Sequence, residues 1–365
     1  MKSIHLIAAA RPNFMKIAPL YHALAKEPWC RPHIVHTGQH YDHNMSDAFF
    51  QDLRLPKPHF HLEVGSGSHA QQTGNVMIAY EAVATREKPD WIIVVGDVNS
   101  TAACAMVGAK LCIPVVHLEA GLRSRDRTMP EEINRLVTDA ISDVLWTPSP
   151  DADENLLAEG VAAERIDRIG NIMIDSYEMM REVIAADDSV KRLALTAGKF
   201  GVVTLHRPSN VDSRETLGTL VRVLLQASEM LPLVFAVHPR TRKKLQDYGL
   251  EGQITGARNI KVIEPLGYVQ FMNLVSNSAA VITDSGGVQE ETTYLGIPCF
   301  TLRENTERPI TVTLGSNQLV QPQDLLARLA AGLEVRGRSG QRPDLWDGKS
   351  AERAVARLKS RALGE

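Results

Sequence analysis

The sequence predicts an α/β protein built from two Rossmann-like domains facing a central cleft, and three observations predict it. Short, nearly continuous apolar runs alternate with longer amphipathic stretches, the pattern of parallel strands covered by helices on both faces. The alternation pauses around residues 165–180 and then begins again. Polar side chains collect where the apolar runs end, and in open parallel sheets ligands bind at those ends.

In the first series, "SIHLIAAA", "PHIVHTG", "WIIVVGD", "IPVVHLEAG" and "VLWTPS" are expected as buried strands. "FMKIAPLYHALAKE" and "NSTAACAMVGAKL" are expected as helices between them. "RIDRIGNIMIDSYEMM" is expected as the connection between the domains. "FGVVTLHR", "PLVFAVHP", "NIKVIEPL", "SAAVITDSGG" and "IPCFTLRE" form the second strand series. The domains are therefore expected at 1–170 and 171–349, with the amphipathic stretch 350–365 crossing back to the first. "MPEEINRLVTDAISD" reads as a helix opened by Pro130 with two acids in its first turn, where the helix dipole favours them. Glu131 and Arg135, four apart, share a face of it and on spacing alone read as a surface pair.

Bulk properties narrow the function classes. The 365 residues suit two domains, and 44% apolar content supplies two cores. A net charge of −3, without a dense basic tract, makes no electrostatic case for nucleic acid. No apolar run is long enough for a membrane span, and the N-terminal "MKSIHLIAAARP" fits a buried first strand better than a secretion signal. Cys30, Cys104, Cys112 and Cys299 are scattered without a CxxC spacing, as expected of free thiols in a cytoplasmic protein.

The polar residues at the strand ends are Arg11, Asn13 and Lys16; Asp97, Asn99 and Ser100; His117 and Glu119; His206 and Arg207; His238 and Arg240; and Ser285 with Gly286 and Gly287. Arg11, Lys16, His206, Arg207, His238 and Arg308 would answer an anionic ligand. Asp97, Glu119 and Glu131 are carboxylates suited to proton transfer. The stretch "ITDSGGVQEE" joins a strand to a helix through a bare turn, a form that offers main-chain N–H groups to a phosphate. Neither GxGxxG nor GxxxxGK[ST] is present, which argues against nicotinamide dinucleotides and Walker-type chemistry. His36, His40 and His43 come nearest to a metal-ligand spacing, but Thr37 and Gly38 favour a loop there, and no metal is expected.

"RPNFMK", "HTGQHYD", "VVGDVNST", "HLEAGLRS", "MPEEINR", "LHRPSNVD", "TDSGGVQEE" and "TERPIT" occur in this order over residues 1 to about 330. Together they resemble the non-hydrolysing UDP-N-acetylglucosamine 2-epimerases. The resemblance implies a glycosyltransferase-B-like fold, interconversion of UDP-GlcNAc and UDP-ManNAc, no metal and no redox cofactor, and a homodimer. It implies that Ser285, Gly286 and Gly287 hold the diphosphate, Glu291 the ribose hydroxyls, and Phe271 the uracil. Arg11 and His206 would lie near the phosphates and sugar, with Lys16, Arg135, His238 and Arg308 around them. Asp97, Glu119 and Glu131 match the family's catalytic carboxylates, and His206 is expected to join them as a catalytic residue.

Some members carry a second UDP-GlcNAc as activator, and the corresponding residues would be Gln39, His40, Gln71 and Gln72. The family's Gln-Arg pair is represented here by "GSGSHAQQTG", without arginine, so weak or absent activation is expected. The competing readings are a hydrolysing epimerase, a glycosyltransferase using a UDP-sugar donor, and a non-catalytic nucleotide-sugar sensor. Incubation with UDP-GlcNAc separates them, since the products differ.

Overall fold

The computed structural model describes residues 1–38, 50, 53–334 and 340–364. It divides into two compact units, Met1–Met179 with Asp344–Glu365, and Met180–Pro343.

The described strands of the first unit are β1 (Lys2–Ala8), β2 (Cys30–His36), β3 (Phe60–His61), β4 (Trp91–Val95), β5 (Val115–Leu118), β6 (Val144–Thr147) and β7 (Ile166–Arg168). They form one sheet in the order β3-β2-β1-β4-β5-β6-β7, with every pairing parallel. The apolar runs are apolar because helices cover them: Ile92, Ile93, Val94 and Val116 are fully buried. The second unit contains β8 (Gly201–Thr204), β9 (Leu233–Ala236), β10 (Ile260–Ile263), β11 (Ala280–Thr283), β12 (Cys299–Thr301) and β13 (Asn317–Leu319). Their order is β10-β9-β8-β11-β12-β13, again wholly parallel. Both units are Rossmann-like. In each the strand order reverses once, between β1 and β4 and between β8 and β11, and such reversals are where crevices open at the strand ends.

Each reversal is bridged by a side chain. Asn13, buried at the start of the helix Arg11–Leu24, accepts from the main-chain N–H groups of Ala9 (3.3 Å) and Ala10 (3.0 Å) and donates to the Val95 carbonyl (3.1 Å). Across the second reversal Thr204 and Thr283 bond through their hydroxyls at 2.7 Å.

The segment 165–180 differs from the expected connection. Ile166–Arg168 pairs with β6 as an edge strand, and Ile172–Ala186 is one continuous helix. The unit junctions fall at 179/180 and 343/344 for a visible reason. Ser176 donates its hydroxyl to the Met15 carbonyl, and Trp346 donates its indole N–H to the Pro148 carbonyl at 2.9 Å. Asp175 accepts from the Ser350 (3.1 Å) and Ala351 (2.7 Å) amides at the start of the helix Ser350–Leu363, satisfying two donors that a helix start otherwise leaves open. No helix among the described residues is long and apolar enough to cross a membrane.

Candidate active site

In the first unit the site residues surround the turn that follows β4. Gly96 has φ +67°, and a Cβ there would come within 3.3 Å of the Lys16 ammonium and 3.5 Å of the Glu119 carboxylate. Lys16 and Glu119 are buried and form an ion pair. Glu119 adopts φ +70°, an uncommon conformation for a residue with a side chain. Its second oxygen, Oε1, is buried without a hydrogen-bond partner among the described residues. A strained, half-satisfied buried carboxylate of this kind is a recurrent feature of functional sites.

Asp97 pairs with Arg135 from the helix Pro130–Ile141. Arg135 is buried and forms its other ion pair with Glu132 (2.6 Å). The expected surface pair of Arg135 with Glu131 is not formed. Positions three apart place Glu132 and Arg135 on the inward face, while Glu131 lies half-buried on the flank with no side-chain partner among the described residues. Asn134 donates to the Asp97 carbonyl at 2.9 Å, so the main chain and side chain of Asp97 are both held by this helix. Behind the turn, His117 meets Asp139, and Asp139 also accepts from Arg123 (2.7 Å) and the Gly121 N–H (3.1 Å). Burial raises the Asp139 carboxyl, but His117 and Arg123 outweigh it and hold it below its ordinary value.

In the second unit the groups gather at the ends of β8 and β11. His206 follows β8, and its Nδ1 lies 2.8 Å from the Asp284 carboxylate. The exposed His238 caps the helix Pro239–Asp247 by accepting from the Arg240 N–H (3.2 Å), and its ring lies 5.6 Å from that of His206. Ser285 is the N-cap of the helix Gly286–Leu295, but its side chain makes no capping bond. A Cβ on Gly287 would meet no other atom within 4 Å, whereas one on Gly286 would come 2.7 Å from Glu307 and 2.8 Å from Arg308. The two glycines thus serve different ends. Gly287 leaves the helix start bare, and Gly286 makes room for the Arg308 guanidinium.

Arg308 pairs with Glu290 (2.9 Å) and Glu307 (2.6 Å), and Glu307 also meets Arg303 (2.9 Å). Burial would raise Glu307, but Arg308 and Arg303 hold it far below the usual carboxylate range. Glu291 is buried in the same helix, and burial, reinforced by the neighbouring Glu290, pushes it up to about 8. Phe271 is half-buried on the helix Tyr268–Ser276.

Arg11 opens its helix, but its side chain lies outside the described residues, as do Gln39, His40 and His43. Gln71 is engaged in a capping box with Ser68, and Gln72 accepts from Asn99 at 2.8 Å. His36 meets His61 on the neighbouring strand at 2.8 Å, and no group of three or more His, Cys, Asp or Glu side chains among the described residues is placed to hold a metal ion. Asp284, Asp139 and Glu307 are not among the site residues expected from the sequence, Glu132 is expected only as a dipole-matched acid at a helix start, and Glu290 only as an acid beside the glycine turn, for a sugar's hydroxyls. Asp284 carried a signal, an acid at a strand end directly before a glycine turn. Glu132 and Glu307 also carried one, since they stand three before Arg135 and four after Arg303, whereas Asp139 and Glu290 pair with residues that sequence spacing does not bring together.

Residues 22–359 match the family model described as UDP-N-acetylglucosamine 2-epimerase. The chain is 41% identical over 362 residues to a UDP-N-acetylglucosamine 2-epimerase of Methanocaldococcus jannaschii, covering 96% of this chain and 97% of that one. It is 40% identical over 358 residues to the UDP-2,3-diacetamido-2,3-dideoxy-D-glucuronate 2-epimerase of Pseudomonas aeruginosa, again over 96% and 97% of the two chains. A crystal structure of the M. jannaschii UDP-GlcNAc 2-epimerase in complex with UDP-GlcNAc and UDP superposes with a TM-score of 0.90, over 98% of this chain and 99% of that one at 41% identity. The Neisseria meningitidis enzyme bound to UDP-GlcNAc gives a TM-score of 0.88 at 27% identity, over 99% and 100% of the chains. With two parallel sheets and this likeness along its length, the chain belongs to the UDP-N-acetylglucosamine 2-epimerase family.

Proposed function

We propose that this protein inverts C2 of UDP-N-acetylglucosamine to give UDP-N-acetylmannosamine, reversibly and without hydrolysis. The observation that carries the reading is Glu119, a buried carboxylate paired to Lys16 with its other oxygen left without a partner. Such an oxygen is uncommitted within the protein and so is placed to meet a proton of the ligand. Asp97, tied to Arg135, and Glu131, half-buried and unpaired among the described residues, complete three acids for one sugar. The bare start of the helix Gly286–Leu295, with Arg308 beside it, suits a diphosphate leaving group.

The C2 hydrogen of this sugar has no neighbouring carbonyl to make it acidic. Breaking the C1–O bond to UDP, before or with proton removal, gives the ring oxocarbenium character and makes that hydrogen removable. The electron pair of the C2–H bond becomes the C1–C2 double bond, leaving 2-acetamidoglucal and UDP. Re-addition of UDP at C1, with a proton delivered to the opposite face of C2, gives the epimer. One carboxylate takes the proton and another returns one, which is why more than one acid is needed. The resemblance supports Arg11, Lys16, His206 and His238 as further ligand contacts, Phe271 against the uracil and Glu291 on the ribose. It also supports a cytoplasmic homodimer feeding cell-surface polysaccharide synthesis.

The P. aeruginosa relative is named for a diacetamido uronate, so that nucleotide sugar is the second reading. Incubation of the purified protein in D2O with each of the two decides. UDP-N-acetylmannosamine carrying deuterium at C2 is expected from UDP-GlcNAc. Retention of the original C2 hydrogen would reject elimination, free sugar plus UDP would make the enzyme hydrolysing, and turnover of the uronate alone would reassign the substrate.

A further inference from the structure

The strand order of the second sheet reverses between β8 and β11, and one carboxylate spans that reversal. Asp284, directly after β11, is fully buried. Every group around it is a donor. The main-chain N–H of His206 is shared between Oδ2 (2.9 Å) and Oδ1 (3.1 Å), and the Arg207 N–H (2.8 Å) and the side-chain amide of Asn210 (3.1 Å) reach Oδ2. The His206 ring reaches Oδ1 at 2.8 Å. Burial would raise this carboxyl, yet the His206 ring and the main-chain N–H groups of Arg207 and His206 hold it below its ordinary value. An ionised carboxylate can only accept, so the ring nitrogen facing it must carry a hydrogen.

We propose that Asp284 is a positioning residue for His206, fixing the ring with a hydrogen on Nδ1 so that Nε2 is the atom that meets the ligand. The side chain of His206 is 37% exposed, so the ring has one committed edge and one available edge. Nε2 accepts a proton or hydrogen bond when the ring is neutral and donates one when it is charged. In both states its direction is set by the carboxylate behind it. This is the logic by which a buried acid selects a histidine tautomer in hydrolase triads, applied here to a group beside a leaving diphosphate. The assignment rests on the epimerase reading for the identity of that ligand, but the hydrogen-bond logic does not.

A purely structural role for Asp284 would tie only the 206–207 main chain. Asp284→Asn separates the two roles. An amide oxygen in place of Oδ2 keeps the acceptor for His206 N, Arg207 N and Asn210. The amide nitrogen in place of Oδ1 turns the acceptor facing the ring into a donor, while the His206 N–H gives up its longer contact (3.1 Å) and keeps the shorter one to the remaining oxygen. The hydrogen on His206 should then move from Nδ1 to Nε2.

The experiment is long-range 1H–15N correlation of the full chain labelled in histidine, with the His206 signal assigned by its loss in His206→Asn. The wild-type ring is expected to carry hydrogen on Nδ1, which needs no Asp284 variant to observe. In Asp284→Asn the Nε2–H tautomer is expected, with kcat on the nucleotide sugar down about a hundredfold and UDP affinity within about threefold of wild type. A wild-type ring protonated on Nε2 alone would overturn the proposal. So would an Asp284→Asn protein with an unchanged ring signal. A wild-type Nδ1–H in a protein that turns over neither nucleotide sugar would uphold the Asp284 assignment and overturn the functional reading.

Discussion

His117 donates from Nε2 to the main-chain carbonyl of Gly96 at 2.8 Å while its Nδ1 faces Asp139 at 2.5 Å, with the ring fully buried. The imidazole is thus a strut between the helix Pro130–Ile141 and the turn that presents Asp97. His117→Phe keeps the volume and removes both bonds. Breaking a buried charged contact costs about 3 kcal/mol or more, so the denaturant midpoint should fall by that equivalent. Turnover should fall with it, because the Gly96 turn loses its anchor. A variant of unchanged stability would show that the strut carries no weight.

Glu291 makes stability depend on pH in an unusual direction. It titrates near 8 in the fold against an ordinary value of 4.5. The folded state therefore holds a proton that the unfolded chain has released, and stability is lost as pH rises from about 4.5 to about 8. Glu291→Gln cannot release a proton. Thermal melts should find the variant gaining on wild type across that window and level with it at pH 4; a constant difference at every pH would contradict the assignment.

The histidines at the other end of the first sheet act at acid pH. His5 bonds to Tyr80 (3.1 Å), with His33 6.0 Å away and His59 5.1 Å beyond that. Burial, then the neighbouring His33, lowers His5 to about 4, and burial lowers His33 and His59 as well. These rings are neutral in the fold, and the unfolded chain takes up more protons below pH 6.5. Stability should therefore fall between about 6.5 and about 4. His5→Phe should flatten that slope in a melting series, and an unaltered slope would remove His5 from the account.

The two glycines at the start of the helix Gly286–Leu295 should respond differently to a side chain. Gly287→Val adds bulk where nothing stands within 4 Å, and should weaken UDP binding tenfold or more while leaving the melting temperature unchanged. Gly286→Val pushes against Glu307 and Arg308 and should lose both binding and stability. Calorimetry with UDP and a thermal melt on each protein check this. Equal affinity in Gly287→Val would mean that the helix start is not where the diphosphate sits.

Apolar strands between helices were legible because period and length announce them. Val94 or Ile282 could hardly sit anywhere but a buried sheet. The short edge strands Phe60–His61, Ile166–Arg168 and Asn317–Leu319 were not. Two or three residues with one face uncovered leave no periodicity to read, and their strand character comes from the neighbour they pair with. The site divides in the same way. Asp97, Glu119 and His206 stand at strand ends, a local property. The Asp97–Arg135 pair joins residues far apart in the chain, and the inward turn of Glu132 rather than Glu131 is set by how the helix Pro130–Ile141 rolls onto its sheet.

The cap of Asp175 on the last helix, with Trp346 reaching the Pro148 carbonyl, has a bearing on synthesis. The first unit draws on residues 344–364, whereas the second is one uninterrupted stretch, Met180–Pro343. As the chain leaves the ribosome, the segment that comes later in the sequence has all its parts first. The earlier one must wait, with the binding surface of its final helix uncovered, until the whole intervening unit has emerged. Order of folding and order of sequence therefore run opposite to each other, and this surface is where a chaperone would find the nascent protein incomplete.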